Sequence, residues 1–597
     1  MRHPILVTLA LAIALPAAAQ QRPVAITGAT LVNPEAAPVA DAVVVFRDGR
    51  ILAAGPRARV AIPAGAQRID ASGKWLVPGY IDAHVHFFQS AGLYARPDGV
   101  DLQAVVPYER EIATLKANLD DTFRRYLRAG VTTVMDVGGP MWNFEVRERA
   151  AKAPLAPTVL VAGPLVSTIK APVVSDMPDP AIIQATSPAH ARALVQEQLA
   201  HKPDLVKVWY VLERGQEPAA NAPLLRAAIE KAHAHGVRVA VHATELEGAR
   251  LAVQSGADLL VHGIADKPVD AAFIDLLRQR KVPVIPTLAV MSGHFRTYAG
   301  KPALTPEEQA WGNPDIIATL TEIDRIAPDW LPAALRPMLA RLKSRPVPAP
   351  ETDMKNLKAM RDGGVVIATG TDAGNPAILP GASYFRELGL MHQAGLSPAQ
   401  ILADSTLHGA RALGREKDLG SIAAGKQADM LLLDADPLSD VAHFSRIHTV
   451  VVRGNPLRAD EILAGSTVVP VPRNPEAFKP MPASMQPEAV VQRQLEAYNA
   501  RDVEAFLATY DPQAELFGFP SQPQARGHAA LRAMYAALFA RSPQLKATVD
   551  KRIVQGSFVI DRERVTGMPG LPEGQAMEAV AIYEVVGGRI RRVWFIQ

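Results

Sequence analysis

From residue 76 to about residue 404, short apolar runs alternate with amphipathic stretches, and this alternation restricts the fold of the 597-residue chain more than any other feature. The apolar runs fall at 76–81, 131–137, 158–161, 205–209, 238–242, 259–262, 282–286 and 365–369. They are rich in Val, Ile and Leu, as parallel strands buried on both faces should be. Helical patterning fills 109–129, 188–201 and 221–235 between them. Eight such units predict an α/β fold, a closed (β/α)8 TIM barrel, with its chemistry at the C-terminal ends of the strands. An open doubly wound sheet is the alternative, but no Gly-x-Gly-x-x-Gly follows the first strand. The stretch 291–351, between the seventh and eighth strands, is too long for an ordinary connection and contains Trp311, Trp330 and many prolines. It reads as a partly helical cap over the pocket.

The flanks obey a different rule. Short β runs at 24–27, 42–46 and 51–55 meet at turns, one of them Asp48-Gly49, a strong hairpin signal. A β pattern returns at 420–433 and 447–453. Residues 20–75 and 413–467 therefore predict a composite β-sandwich flanking a barrel of residues 76–412, because neither piece alone has enough strands to bury a face. Residues 468–487 are proline-rich and read as an extended linker. Beyond them, 488–597 carries a helix at 489–500 and late strands at 549–554, 579–585 and 590–595, enough for a separate α+β domain.

The opening Met1-Arg2-His3, the apolar run 5–15 and Pro16-Ala17-Ala18-Ala19 have the three parts of a secretory signal peptide, residues 1–19, with cleavage after Ala19. A periplasmic or secreted protein follows, with no membrane attachment once the signal is removed. Lys plus Arg number 63 against 60 Asp plus Glu, without basic blocks, which argues against a nucleic-acid partner. With no cysteine in the chain, disulfides and a thiol nucleophile are both excluded.

Six residues at or near the predicted strand ends carry the chemistry. His84 and His86 close the run Pro78-Gly79-Tyr80-Ile81-Asp82-Ala83-His84-Val85-His86, and two residues apart on a strand they point to one side. Lys207 lies in the fourth strand, His242 ends the fifth, His262 the sixth, and Asp372 follows the eighth in Thr371-Asp372-Ala373-Gly374. Singly, His242 reads as a core histidine, Asp372 as a helix N-cap and Lys207 as a charge whose stem packs on the barrel. Together, four imidazoles and a carboxylate at one barrel mouth suit Zn2+ or a similar divalent ion.

Through these motifs the stretch from about residue 24 to 453 resembles the amidohydrolase superfamily, in its imidazolonepropionase-like and prolidase-like branch. The resemblance implies that Lys207 is carboxylated and bridges two metal ions, His84, His86 and Asp372 holding one and His242 and His262 the other. It implies a hydrolase of amide or other C–N bonds in a small-molecule substrate of the prolidase, N-acyl amino acid or cyclic amide type. A metal-bridging hydroxide would attack, and the catalytic Asp372 would pass its proton to the leaving nitrogen. An unmodified lysine, with a pKa near ~10.4, is a cation at neutral pH and could not serve as that bridge. Peptide-cleaving members often have tyrosine where this chain has Thr244, which weakens a dipeptidase assignment. Thr244 and Tyr210 are candidate substrate-binding residues, and Lys170 and Arg296 lie on the same side. A lactone or phosphotriester hydrolase with the same metal pair is the enzymatic alternative; a ligand-binding protein with a vestigial barrel is the non-enzymatic one. Residues 488–597 resemble the SnoaL-like, nuclear-transport-factor-2-like fold, a cone-shaped domain that implies ligand binding or homo-oligomer formation.

Overall fold

The computed structural model describes residues 22–213, 215–478, 483–555, 557–572, 574–586 and 588–596, so the expected signal peptide lies outside the described residues. The chain divides into two units, Met1–Ala477 and Phe478–Gln597.

In the first unit, the β runs on either side of the strand–helix alternation join in one eight-stranded sheet. Its path runs from Asn455–Arg458 through Ile447–Val452, Met430–Leu433, Trp75–Pro78, Val24–Leu31 and Val39–Arg47 to Arg50–Pro56, with Gln67–Asp70 paired beside Val24–Leu31. In this sheet the two pieces expected to build a composite β-sandwich are joined by continuous ladders. Side-chain alternation divides its core. Leu76, Met430 and Leu432 pack with Ile26, Val44 and Phe46, whereas Val77, Leu431 and Leu433 join the main core of the unit.

The run expected as the first barrel strand is broken at Pro78-Gly79. Trp75–Pro78 belongs to the flanking sheet, and Tyr80–Val85 begins a second, parallel one. Proline ends the first ladder because it has no N–H to offer. Glycine is needed next because a Cβ at residue 79 would stand 2.1 Å from Thr132 Oγ1.

Tyr80–Val85, Val131–Asp136 and Thr158–Val161 form a three-stranded parallel sheet. Ile182–Gln184, Leu165–Ser167, Val206–Trp209, Val239–His242, Leu259–Val261 and Val284–Ile285 form a six-stranded one. The segment expected as the eighth strand makes a single parallel bridge rather than a ladder, Ile367 to Val284, and beyond it Ala373 bridges to Val85. It bonds to both sheets, Ala368 N donating to Val284 O (3.0 Å) and Ala83 N to Thr369 O (2.9 Å). Thr369 N is taken by Asp404 O, and Asp372 turns to φ 59°, so no regular ladder continues.

The predicted helix 109–129 is two helices, Tyr108–Ala117 and Leu119–Arg128, parted at Asn118. The Asn118 amide exchanges two hydrogen bonds of 2.8 Å with the backbone of Val469, so the break serves a distant contact. That contact belongs to the proline-rich stretch read as a linker, whose first half is stitched to the first unit. Val471 N donates to Asp315 (2.8 Å), Arg473 pairs with Asp315 (2.6 Å) and Glu322 (3.0 Å), and Ala477 O accepts from Ala327 N (2.8 Å). Asp315, Glu322 and Ala327 all lie in the 291–351 segment, which contains the helices Val290–Tyr298, Pro306–Trp311, Pro314–Thr319 and Leu335–Lys343.

The second unit is a six-stranded sheet, ordered Gln522–Arg526, Tyr510–Gly518, Arg589–Ile596, Ala576–Val586, Phe558–Thr566 and Lys546–Gln555. The helices Pro487–Ala500, Val503–Ala508 and Gly527–Arg541 accompany it, with Phe506, Tyr510, Leu531 and Val593 in the shared core. Among the described residues, no helix is long and apolar enough to cross a membrane.

Candidate metal centre

Tyr80–Val85 sends His84 and His86 to one point, where their Nε2 atoms stand 3.4 Å apart. Asp372 Oδ1 meets them at 3.3 Å and 3.2 Å, and its Oδ2 lies 3.9 Å from His262 Nδ1. The His242 ring is 4.4 Å from that of His262, which is 4.9 Å from that of His84, measured between centroids. His262 at φ 79° and Asp372 at φ 59° hold strained backbone, a cost that tends to collect at functional positions.

His86 Nδ1 lies 2.7 Å from the Gly138 carbonyl. A carbonyl only accepts, so Nδ1 carries the proton and the Nε2 lone pair faces Asp372 Oδ1. Asp372 Oδ1 and His84 Nδ1 are buried without a hydrogen-bond partner. Burial holds His262 down to about 3 and drives His84 and His242 well below the ordinary imidazole range, so these rings are neutral at neutral pH. Burial pushes the Asp372 carboxyl up, but any proton the cluster binds goes to the facing imidazoles of His84, His86 and His262 rather than to Asp372, whose pKa lies well below the usual range. Neutral imidazoles and an ionised carboxylate are the protonation states that bind metal.

The spacing fits the same use. Ligands on a tetrahedral ion with bonds of ~2.0–2.1 Å stand ~3.3–3.4 Å apart, and the His84, His86 and Asp372 atoms are 3.2–3.4 Å apart. His84, His262 and Asp372 likewise bring one ligand atom each to within 4.8 Å of one another.

Lys207 lines the same cavity as His86, His242, His262 and Asp372. Its side chain is 1% exposed, and burial lowers its pKa to about 7 against a weaker pull from Asp372. The cavity has a volume of about 510 Å³, with Thr244 and Trp209 in its wall. The other sequence candidates lie elsewhere. Tyr210 is buried and gives its hydroxyl to the Pro218 carbonyl. Lys170 pairs with Asp176 at the surface (2.5 Å). Arg296, buried in Val290–Tyr298, donates to the Ser292 hydroxyl, and burial lowers its pKa to about 10.

Sequence reasoning missed the residues that hold the ligands. Asp82 accepts from Thr371 Oγ1 (2.6 Å), Thr371 N (2.9 Å) and His84 N (3.3 Å), tying the His84 strand to the turn that carries Asp372. Asp136 accepts from Phe87 N (3.1 Å), Asn143 Nδ2 (2.6 Å) and Gly138 N (3.0 Å), fixing the peptide that orients His86. Both are fully buried, and burial raises each to about 7. A signal existed for Asp82, which shares the period-two face of His84 and His86. Arg96 and Asp353 also line the cavity, and burial raises Asp353 to about 6.

Comparison with known proteins identifies the family of each unit. The amidohydrolase family profile matches residues 75–457, and a SnoaL-like domain profile matches 491–593. The chain is 27% identical over 451 residues to an imidazolonepropionase of Mycolicibacterium smegmatis, covering 72% of this chain and 91% of that protein. Identity to an imidazolonepropionase of Shouchella clausii reaches 37% over 108 residues, which is 17% of this chain and 24% of the relative. Among solved structures, an Xaa-Pro dipeptidase with bound methionine in its active site superposes with a TM-score of 0.57 at 21% identity, covering 73% of this chain and 100% of that one. The chain therefore belongs to the amidohydrolase family and is a hydrolase acting on carbon–nitrogen bonds, with a SnoaL-like domain following it.

Proposed function

We propose that this is an exported hydrolase of small amides, cyclic amides among them, that works with two divalent ions, zinc or similar, in a closed (β/α)8 barrel. The single observation that carries the reading is the cluster of mutually facing acceptors at 3.2–3.4 Å, His84, His86 and Asp372, beside a buried lysine amine. His84, His86 and Asp372 would hold one ion and His242 and His262 the other. Such ions supply Lewis-acid polarisation of a carbonyl and a lowered pKa for water.

The protein's own residues account for the rest. At a pKa near 7, much of the Lys207 population is free amine. That form can add carbon dioxide and release one proton to leave a carbamate anion, the bridging role assigned to it here. Asp372, ionised and facing both the imidazoles and the cavity, is placed to take a proton from water and give it to the leaving nitrogen. The Gly138 carbonyl and the Thr287 hydroxyl, 2.8 Å from His262 Nδ1, keep two rings oriented. Apolar side chains, Phe88, Trp209 and Phe295 among them, make up much of the cavity wall where the substrate would sit. Export rests on the N-terminal sequence alone, and intact-mass analysis of protein from the periplasm tests it: a chain beginning at Gln20 is the expected product.

The test of the chemistry is elemental analysis and a substrate panel with Lys207→Met. The wild type should hold about two divalent ions per chain and cleave an N-acyl amino acid, dipeptide or cyclic amide. The variant should lose bridging and at least 100-fold in rate. An unchanged rate overturns the assignment, and cleavage confined to lactones or aryl phosphotriesters replaces it with the other hydrolase.

A further inference from the structure

The cavity above the candidate centre is walled mainly by apolar side chains, Phe88, Leu165, Trp209, Met291, Phe295 and Leu342 among them. Its charged groups outside the ligand set are Arg96 and Asp353. Arg96 is already engaged. Its guanidinium forks onto Asp98 at 2.8 Å and 2.6 Å, and its third nitrogen donates to Asn375 at 2.8 Å. Asp353 is not: it is half-buried at the cavity wall, neither carboxylate oxygen has a hydrogen bond or ion pair among the described residues, and its Oδ1 is turned inward, away from solvent.

That oxygen stands close to the chemistry. A Cβ on Gly263 would lie 3.0 Å from it, and Gly263 directly follows His262. A carboxylate without a partner at the wall of a ligand-sized, mainly apolar cavity can be satisfied by a donor that arrives with the ligand. We propose that Asp353 is a specificity residue that receives a protonated amine of a substrate whose remaining contacts are apolar. This rests on the hydrolase reading and narrows its substrate class. A cationic amine gives the half-buried carboxylate a charge-assisted hydrogen bond, which neither the apolar wall nor the occupied Arg96 can provide. The competing role is local: Asp353 sits in the first turn of Glu351–Asp362, where a carboxylate favours the helix dipole.

The experiment uses the metal-loaded full chain and two probes that cannot be hydrolysed, 4-phenylbutylamine and 4-phenylbutan-1-ol, with calorimetric binding at pH 8. The wild type should prefer the amine by at least tenfold. Asp353→Asn should bring that ratio within twofold, and Asp353→Glu should keep at least threefold. A role confined to the helix terminus predicts a lower melting temperature for Asp353→Asn with the preference intact, and that result overturns the proposal. So does equal affinity for the two probes, failure of the amine to bind at millimolar concentration, or an amine preference that survives in the Asn variant because a metal holds it. Because the readout is binding, a preference abolished by Asp353→Asn in a protein that cleaves no amide retires the hydrolase reading and leaves the amine site standing.

Discussion

Thr371→Val tests the proposed positioning of the metal ligands more sharply than removal of a ligand. Valine keeps the shape of a side chain that is 1% exposed and deletes one oxygen. That oxygen donates to Asp82 Oδ2 at 2.6 Å and accepts from Ala373 N at 3.1 Å, so two buried groups lose their partner together. A hydrogen bond to a charged group contributes about 1.5–3 kcal/mol, and an orphaned buried amide costs ~1–3 kcal/mol. The losses share one turn and will not add fully, so a fall of about 3 kcal/mol is expected in urea unfolding followed by tryptophan fluorescence. Asp372 then has a looser hold, and divalent-metal affinity should drop ~10–100-fold in competition with a chromophoric chelator, the usual effect of removing a group that orients a ligand. Thr371→Ser restores the oxygen and should restore both quantities. A valine variant within ~0.5 kcal/mol of wild type, with unchanged metal affinity, would refute the claim that Asp82 and Thr371 set the position of Asp372.

Gly79→Ala places a methyl 2.1 Å from Thr132 Oγ1 and should destabilise the first unit by ~1–3 kcal/mol in the same urea assay, with partial recovery on adding Thr132→Ala, which removes the two nearest atoms. Glu35, held at about 2 by its hydrogen bond to Arg411, contributes stability above the unfolded value of 4.5 and loses it as pH falls toward 2. Glu35→Gln should therefore flatten the melting-temperature profile between pH 4.5 and 2 and lower stability at pH 7. In the second unit, burial raises Glu563 to about 7, with the Tyr583 hydroxyl donating to it at 2.7 Å. The folded state then holds a proton that the unfolded state has lost above 4.5, so stability falls as pH rises from 4.5 through 7. Glu563→Gln should remove that slope from the hydrogen exchange of Phe558–Thr566.

What could be read from the sequence followed from period and burial. Two-residue spacing put His84 and His86 on one side of a strand, and apolar runs located the parallel strands because burial on both faces leaves that mark. The same runs did not disclose pairing. The eighth run is as apolar as the others yet forms only bridges, since Val365 N is taken by the Met360 carbonyl and Thr369 N by that of Asp404. Residues that position the ligands were invisible because each depends on a partner far away in the chain: Asp82 meets Thr371 across 289 positions. Asp353 shares the face of Leu357 and Met360 on the helix Glu351–Asp362, but an acidic residue in a first turn reads as favouring the helix dipole rather than as facing a cavity. The break at Asn118 was hidden for the same reason, its cause being Val469.

The run 469–477 grips Asp315, Glu322 and Ala327, in the very segment that walls the cavity with Met291, Phe295 and Leu342. Separating the two units of the polypeptide thus has a right and a wrong place to cut. Shortening the chain to end at Val468 would untie the roof of the chamber while leaving every proposed metal ligand in place, and any activity lost would be blamed on the missing second unit. Ending it just past Ala477 keeps the tether and isolates what that unit truly adds.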